Sequence, residues 1–204
     1  VWRFCHRAAR ALLRLAGVKL DVTGLDHLPG DGRCVLVSNH ESYLDGLVLV
    51  AALEQPHTFV AKRELEGQFV AGRFLKSLGA AFVERFDRRR SVADAEQMTA
   101  RVQGGAPLLV FPEGTFVAAP GTLPFRLGAF LAATHAGVPV IPVSLGGTRQ
   151  LLGDGRWWPR PADLTVHVGA ALTEPASSDP FAAAVRLRDR ARRVIIRGLS
   201  DSDA

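Results

Sequence analysis

Along this chain, short apolar runs alternate with longer stretches in which apolar residues recur at helical spacing. The runs, bounded by Gly, Pro or charged residues, predict strands near 18–23, 33–38, 57–61, 80–83, 107–111, 138–145 and 163–168. The spaced stretches predict helices near 2–16, 43–54, 66–78, 91–104, 124–136 and 180–199. Such an alternation predicts an α/β fold: a mixed, largely parallel central sheet of about seven strands with helices on both faces. Ligands of open α/β sheets gather in the crevice beyond the carboxyl ends of the strands, so residues just after a predicted strand are the first to inspect for chemistry.

Two such places stand out. After the strand near 33–38 comes Asn39-His40-Glu41-Ser42-Tyr43-Leu44-Asp45, followed by the apolar helix pattern to Leu53. A neutral imidazole takes a proton near pH 7, and a carboxylate on its other ring nitrogen holds the tautomer and stabilises the imidazolium. Residues five apart on a regular helix sit ~140° around the axis, so His40 and Asp45 meet only if His40 precedes the first turn. The same residues also read as an ordinary helix start, with Ser38 or Asn39 as cap and Glu41 and Asp45 as first-turn acids. The spacing leaves both readings open.

The second place is Leu108-Leu109-Val110-Phe111-Pro112-Glu113-Gly114-Thr115. Pro112 stops the strand, Gly114 permits a left-handed turn and close backbone approach, and Glu113 offers acceptors to a hydroxyl or an arginine. A plain turn with a solvated glutamate has the same sequence.

Taken together, Asn-His-x-Ser-x-x-Asp and, ~70 residues on, Phe-Pro-Glu-Gly-Thr resemble the glycerophospholipid acyltransferase family, best known for its lysophosphatidate acyltransferases. The likeness extends in order through Phe59-Val60-Ala61-Lys62-Arg63-Glu64-Leu65, Gly79-Ala80-Ala81-Phe82-Val83-Glu84-Arg85 and Val138-Pro139-Val140-Ile141-Pro142-Val143. The resemblance implies a glycerol-3-phosphate acyltransferase-like fold. It also implies His40 as general base, Asp45 as its orienting carboxylate, Arg85, Glu113, Gly114 and Thr115 at the acceptor, and Pro142 at the acyl site. Many family members follow Phe-Pro-Glu-Gly-Thr with arginine and serine. This chain has Phe116 and Val117 there, so either Arg126 takes the place of that phosphate ligand or the acceptor differs from lysophosphatidate; Lys62 is a further candidate for phosphate.

Composition and charge narrow the setting. The 204 residues, 48% hydrophobic, suffice for one core without metals or disulfides, so residues 1–204 are expected to form a single acyltransferase domain. The chain opens on Val1 and carries no apolar run long enough to span a bilayer. It therefore reads as a piece of a longer protein, with any anchor outside it. Cys5 and Cys34, the two cysteines, fit apolar positions and a reducing compartment. A net charge of +5 favours phosphate-bearing partners: anionic lipid, a phosphorylated substrate, or nucleic acid. No nucleic-acid motif is present, so nucleic acid is not expected as a partner.

In the first helix, residues 1–16, Arg3, His6, Arg7, Arg10 and Arg14 gather on one side and Phe4, Cys5, Ala8, Leu12, Leu15 and Ala16 on another. A basic amphipathic helix of this kind lies in an anionic membrane surface or packs on its domain with the basic side solvated. Arg88, Arg89 and Arg90 read as a solvated run. Trp157 and Trp158 read as an anchor, an acyl-tunnel cap or core, and His57, His135 and His167 lack metal-ligand spacing.

The expected activity is transfer of a fatty acyl group from acyl-CoA or acyl carrier protein to a lysophospholipid hydroxyl. The resemblance points to 1-acylglycerol-3-phosphate, at the cytoplasmic face of a membrane, with no metal or cofactor. The alternatives are an acyl ester or thioester hydrolase, against which the missing Gly-x-Ser-x-Gly elbow counts, and a non-catalytic lipid-binding module.

Overall fold

The computed structural model describes residues 1–69, 71–83, 88–116, 121–152, 160, 162–175 and 179–202, with side chains of 88–95 and 201–202 left aside. All seven predicted strands are present: β1 (Leu20–Thr23), β2 (Val35–Ser38), β3 (Thr58–Lys62), β4 (Ala81–Val83), β5 (Leu108–Val110), β6 (Val140–Gly146) and β7 (Leu164–Val168). They form one sheet in the order β1-β7-β6-β2-β5-β3-β4. Strands β6, β2, β5, β3 and β4 run parallel, β7 pairs antiparallel with β6, and β1 runs parallel to β7. The sheet is mixed and mostly parallel, as its sequence pattern predicts.

The helices are α1 (Trp2–Leu15), α2 (Asp45–Ala52), α3 (Ala71–Ser77), α4 (Arg88–Gln103), α5 (Gly128–Ala136), α6 (Thr148–Leu152) and α7 (Pro180–Ser202). Alternate strand residues point to opposite sides. Leu36, Leu109, Ile141 and Val143 therefore pack with Leu49 and Leu53 of α2 and Leu13 of α1. Val35, Val37, Leu108 and Val140 pack with Val102 of α4, Phe130 of α5 and Leu187 of α7. Each fully buried leucine contributes about 1.5–3 kcal/mol, which is why β2, buried along its whole length, sits at the sheet centre.

After the predicted strand at 138–145, where the sequence pattern assigns no element, stands the short helix α6. Gly147 enters it at φ +83, and a Cβ there would lie 2.1 Å from the carbonyl oxygen of Asp163. Only glycine fits that turn. The predicted helix over 66–78 divides into a 3₁₀ turn, Arg63–Gly67, and the shorter α3. Among the described residues, no helix is long and apolar enough to cross a membrane.

Candidate functional site

Because β2, β5, β3, β4 and β6 are parallel, the residues that follow them emerge at one end of the sheet. Asn39 closes β2 with its side chain: Nδ2 donates to the carbonyl of Leu145 and Oδ1 accepts the Leu145 N–H, both at 2.9 Å. That double bond to β6 fixes the height at which the chain leaves the sheet. His40 is the next residue.

His40 precedes α2, and its Nδ1 lies 2.7 Å from Asp45 Oδ2. Asp45 is fully buried and also accepts the N–H groups of Glu41, at 2.6 Å, and Ser42, at 2.9 Å. The two sequence readings thus merge. Asp45 is the first residue of α2, yet its carboxylate folds back over the turn instead of standing at a free helix end, and neither Ser38 nor Asn39 caps the helix. With Nδ1–H donated to the carboxylate, the neutral ring keeps its lone pair on Nε2. The His40 side chain is 21% exposed, so the ring is not sealed from solvent.

Two aromatic rings pack against the imidazole. Phe111 stacks on it at 4.3 Å between centroids, and Phe116 meets it edge-on at 4.7 Å. Tyr43, well exposed, packs edge-on against Phe116 at 4.7 Å. These contacts leave the ring little rotational freedom beyond what Asp45 allows.

Glu113 is buried, and both carboxylate oxygens are engaged by main chain. Oε1 accepts the His40 N–H at 2.9 Å and Oε2 accepts the Leu123 N–H. Burial pushes its carboxyl above the ordinary carboxylate range, against the opposing pull of these two donors. Gly114 takes φ +80 and donates its N–H to the carbonyl of Phe111, closing the turn after β5. Thr115 and Arg126 are exposed, and Arg126 is held by its N–H on the carbonyl of Pro112.

Lys62 is half-buried at the carboxyl end of β3, paired in register with Val83 at the end of β4. It therefore shares the sheet end with His40 and Glu113. Arg85 lies outside the described residues, as do Val117, Trp157 and Trp158. Pro142 is in the middle of β6, beside Gly169: a Cβ on Gly169 would sit 3.0 Å from Pro142 Cγ and 3.1 Å from Val194 Cγ1. That places its ring toward α7, on the other side of the sheet from α2.

Sequence reasoning passed over one neighbour of the base. Arg149 of α6 lies 3.6 Å from the Glu41 carboxylate, with both side chains largely buried. Burial raises the Glu41 pKa while Arg149 pulls it down. Ser42, fully buried, donates its hydroxyl to the carbonyl of Leu152 and accepts the N–H of Leu44. So α6 is docked on the turn that carries His40. The available signal was an arginine just after a predicted parallel strand. Its meaning depends on β6 lying next to β2.

The arrangement suits proton transfer at Nε2. Nucleophilic alternatives are poorly placed: the Ser42 hydroxyl is committed to main chain, and Cys34 is buried with its thiol pushed up to about 12, chiefly by burial. Among the described residues, no three His, Cys, Asp or Glu side chains gather as a metal site requires.

Comparison with known proteins agrees with the sequence resemblance. Residues 19–146 match the Acyltransferase family. The chain is 37% identical over 138 residues to a chloroplast 1-acyl-sn-glycerol-3-phosphate acyltransferase of Brassica napus, covering 67% of this chain and 40% of that protein. It is 33% identical over 170 residues to one of Chlamydomonas reinhardtii, covering 82% and 51%. The chain thus spans about half the length of the curated relatives it matches. Its fold is shared with the crystal structure of the 1-acyl-sn-glycerophosphate acyltransferase of Thermotoga maritima, with a TM-score of 0.84, 24% identity and coverage of 100% of this chain and 80% of that one.

Proposed function

This chain belongs to the acyltransferase family, and on that premise we propose that it moves a fatty acyl group from a thioester donor to a lysophospholipid hydroxyl, with 1-acylglycerol-3-phosphate as acceptor. The donor is acyl-CoA or acyl carrier protein, and the reaction belongs to phospholipid synthesis at the cytoplasmic face of a membrane. The observation that carries this reading is the His40–Asp45 pair at 2.7 Å, with Nε2 left for substrate.

In the proposed mechanism, His40 Nε2 removes the hydroxyl proton as the oxygen attacks the thioester carbonyl carbon. Asp45 stabilises the imidazolium that forms. The tetrahedral intermediate collapses, the C–S bond breaks, and the imidazolium returns the proton to the departing thiolate. Thioesters are activated donors, so the cycle needs neither a metal nor an acyl-enzyme. Lys62, Arg85, Thr115 and Arg126 are assigned to the acceptor's phosphate and glycerol. Support for this comes from the shared sheet end for Lys62, and from the resemblance for Arg85. Glu113 is assigned to the acceptor at the same end and also braces His40, since each of its oxygens accepts one main-chain N–H and keeps a lone pair for the acceptor.

A panel of lysophospholipid acceptors supplied with one acyl-CoA, read by mass spectrometry, tests the proposal. Formation of diacyl product that is lost in His40→Ala, with folding retained, is the expected result. Release of free fatty acid without acceptor, or near-normal transfer by His40→Ala, would overturn it.

A further inference from the structure

Helix α1 has three faces, not two. Trp2, Ala9 and Leu13 are buried against the body, where Trp2 Nε1 donates to the carbonyl of Leu53 and His6 Nδ1 to that of Val50. At 100° per residue, a second stripe holds Val1, Phe4, Leu12 and Leu15, which are 81%, 76%, 54% and 87% exposed. The third holds Arg3, Arg7, Arg10 and Arg14. Each stripe is turned about 120° from the other two. A plane laid on α1 opposite its buried face therefore meets apolar side chains on one flank and guanidinium groups on the other.

Two open hollows follow the arginine flank, and their linings differ in charge. The one near the start of α1, about 430 Å³, is lined by Arg3, His6 and Arg7 together with Glu54, so an acid offsets its cations. The one at the end of α1, about 440 Å³, is bordered by Arg10, Arg14 and Lys19 over Leu13, Val18 and Leu20. It contains no acid, and none of its three cations has an acidic partner among the described residues. Three uncompensated cations over an apolar floor suit a monovalent or divalent phosphate attached to a greasy body.

We propose that the Arg10–Arg14–Lys19 hollow binds the headgroup phosphate of an anionic membrane phospholipid, seated while Val1, Phe4, Leu12 and Leu15 enter the acyl layer of the same bilayer. The apolar stripe supplies the argument for a bilayer over a soluble phosphate: four large exposed side chains beside the cations match acyl chains beside headgroups. This extends the proposed function, which draws its acceptor from a membrane, by naming the surface that meets that membrane. It does not depend on His40.

The test is co-sedimentation of the chain with phosphatidylcholine vesicles, with and without phosphatidylglycerol. The hollow variant is Arg10→Gln/Arg14→Gln/Lys19→Gln. The control, Arg101→Gln/Arg193→Gln/Arg197→Gln, removes the same charge elsewhere. At about 1 kcal/mol per basic residue at the surface, the hollow variant should lose roughly 100-fold in partition onto phosphatidylglycerol vesicles, and the control only a few-fold. Phe4→Ser/Leu12→Ser/Leu15→Ser should weaken binding to both vesicle types. Equal loss in the hollow variant and the control, or full displacement of wild type from vesicles by coenzyme A or inorganic phosphate, would overturn the assignment. Transfer to detergent-dispersed acceptor should stay normal in the hollow variant. If wild type lacks transfer yet shows this binding pattern, the proposed function fails and the lipid site stands.

Discussion

Glu113 Oε1 accepts the main-chain N–H of His40 at 2.9 Å, joining two residues that are 73 positions apart in the chain. Its other oxygen holds the N–H of Leu123, so one carboxylate ties the turn after β2 to the segment that leads into α5. Each oxygen accepts one of these N–H groups and keeps a second lone pair, so the carboxylate can brace the turn and still accept from a substrate hydroxyl.

Replacing Glu113 by glutamine keeps the size but turns an NH₂ toward one of those donors. Glu113→Gln should lower kcat and shift the pH–rate profile of the free enzyme, because the base itself is displaced. Glu113→Ala should in addition cost about 1–3 kcal/mol of stability, as two buried N–H groups lose their partner. Steady-state kinetics and thermal melts check both. A rise in acceptor KM with kcat and pH profile unchanged would instead identify Glu113 as an acceptor ligand alone.

Asp45 sets the tautomer of His40 through Oδ2, which also holds the N–H groups of Glu41 and Ser42. Asp45→Asn should leave the fold intact and reduce turnover by about 10²–10⁴-fold, the range for a misoriented general base. Product formation is the readout, and wild-type turnover would remove Asp45 from the mechanism.

Phe116 stands where many family members have arginine, and it packs edge-on against both His40 and Tyr43. Phe116→Arg exchanges an aromatic wall for a phosphate-binding fork. The variant should raise the preference for lysophosphatidate over zwitterionic lysophospholipids, measured as a ratio of kcat/KM values. An unchanged ratio would show that acceptor choice is made elsewhere.

His57 is buried under α1, its ring 6.0 Å from that of Trp2. Burial holds its imidazole below the ordinary value of 6.5, outweighing its bond to the Gln55 carbonyl. As pH falls through about 6.5 the unfolded chain takes up a proton that the folded chain refuses. Stability therefore drops, by at most about 1.4 kcal/mol per pH unit, until the lower folded pKa is reached. Thermal melts from neutral to mildly acid pH should show this slope, and His57→Gln should flatten it. Equal slopes in both proteins would refute the assignment.

The strand pattern was readable because each buried run is short, apolar and closed by Gly, Pro or charge. Leu108-Leu109-Val110 before Pro112 is the plainest instance. For His40 and Asp45 the local spacing left a helix start and a catalytic pair both open, and the resemblance of the further blocks pointed to the pair; the contact itself forms within one turn. Helix α6 was not readable, since five residues carry too little periodicity to separate from a loop. The orientation of α1 escaped for a different reason. Residue spacing sorts side chains by polarity, yet Leu13 is buried and Leu12 and Leu15 are exposed, a distinction made by where α2 happens to lie.

The amino-acid order alone is enough to specify seven strands, the longer helices between them and a histidine with a candidate carboxylate partner, because those depend on neighbours within a turn or a strand. Which strands lie side by side depends on packing across the whole sheet. Only that packing sets β5 beside β2 and β6 on its other side, bringing Glu113 onto the His40 backbone and Arg149 onto Glu41.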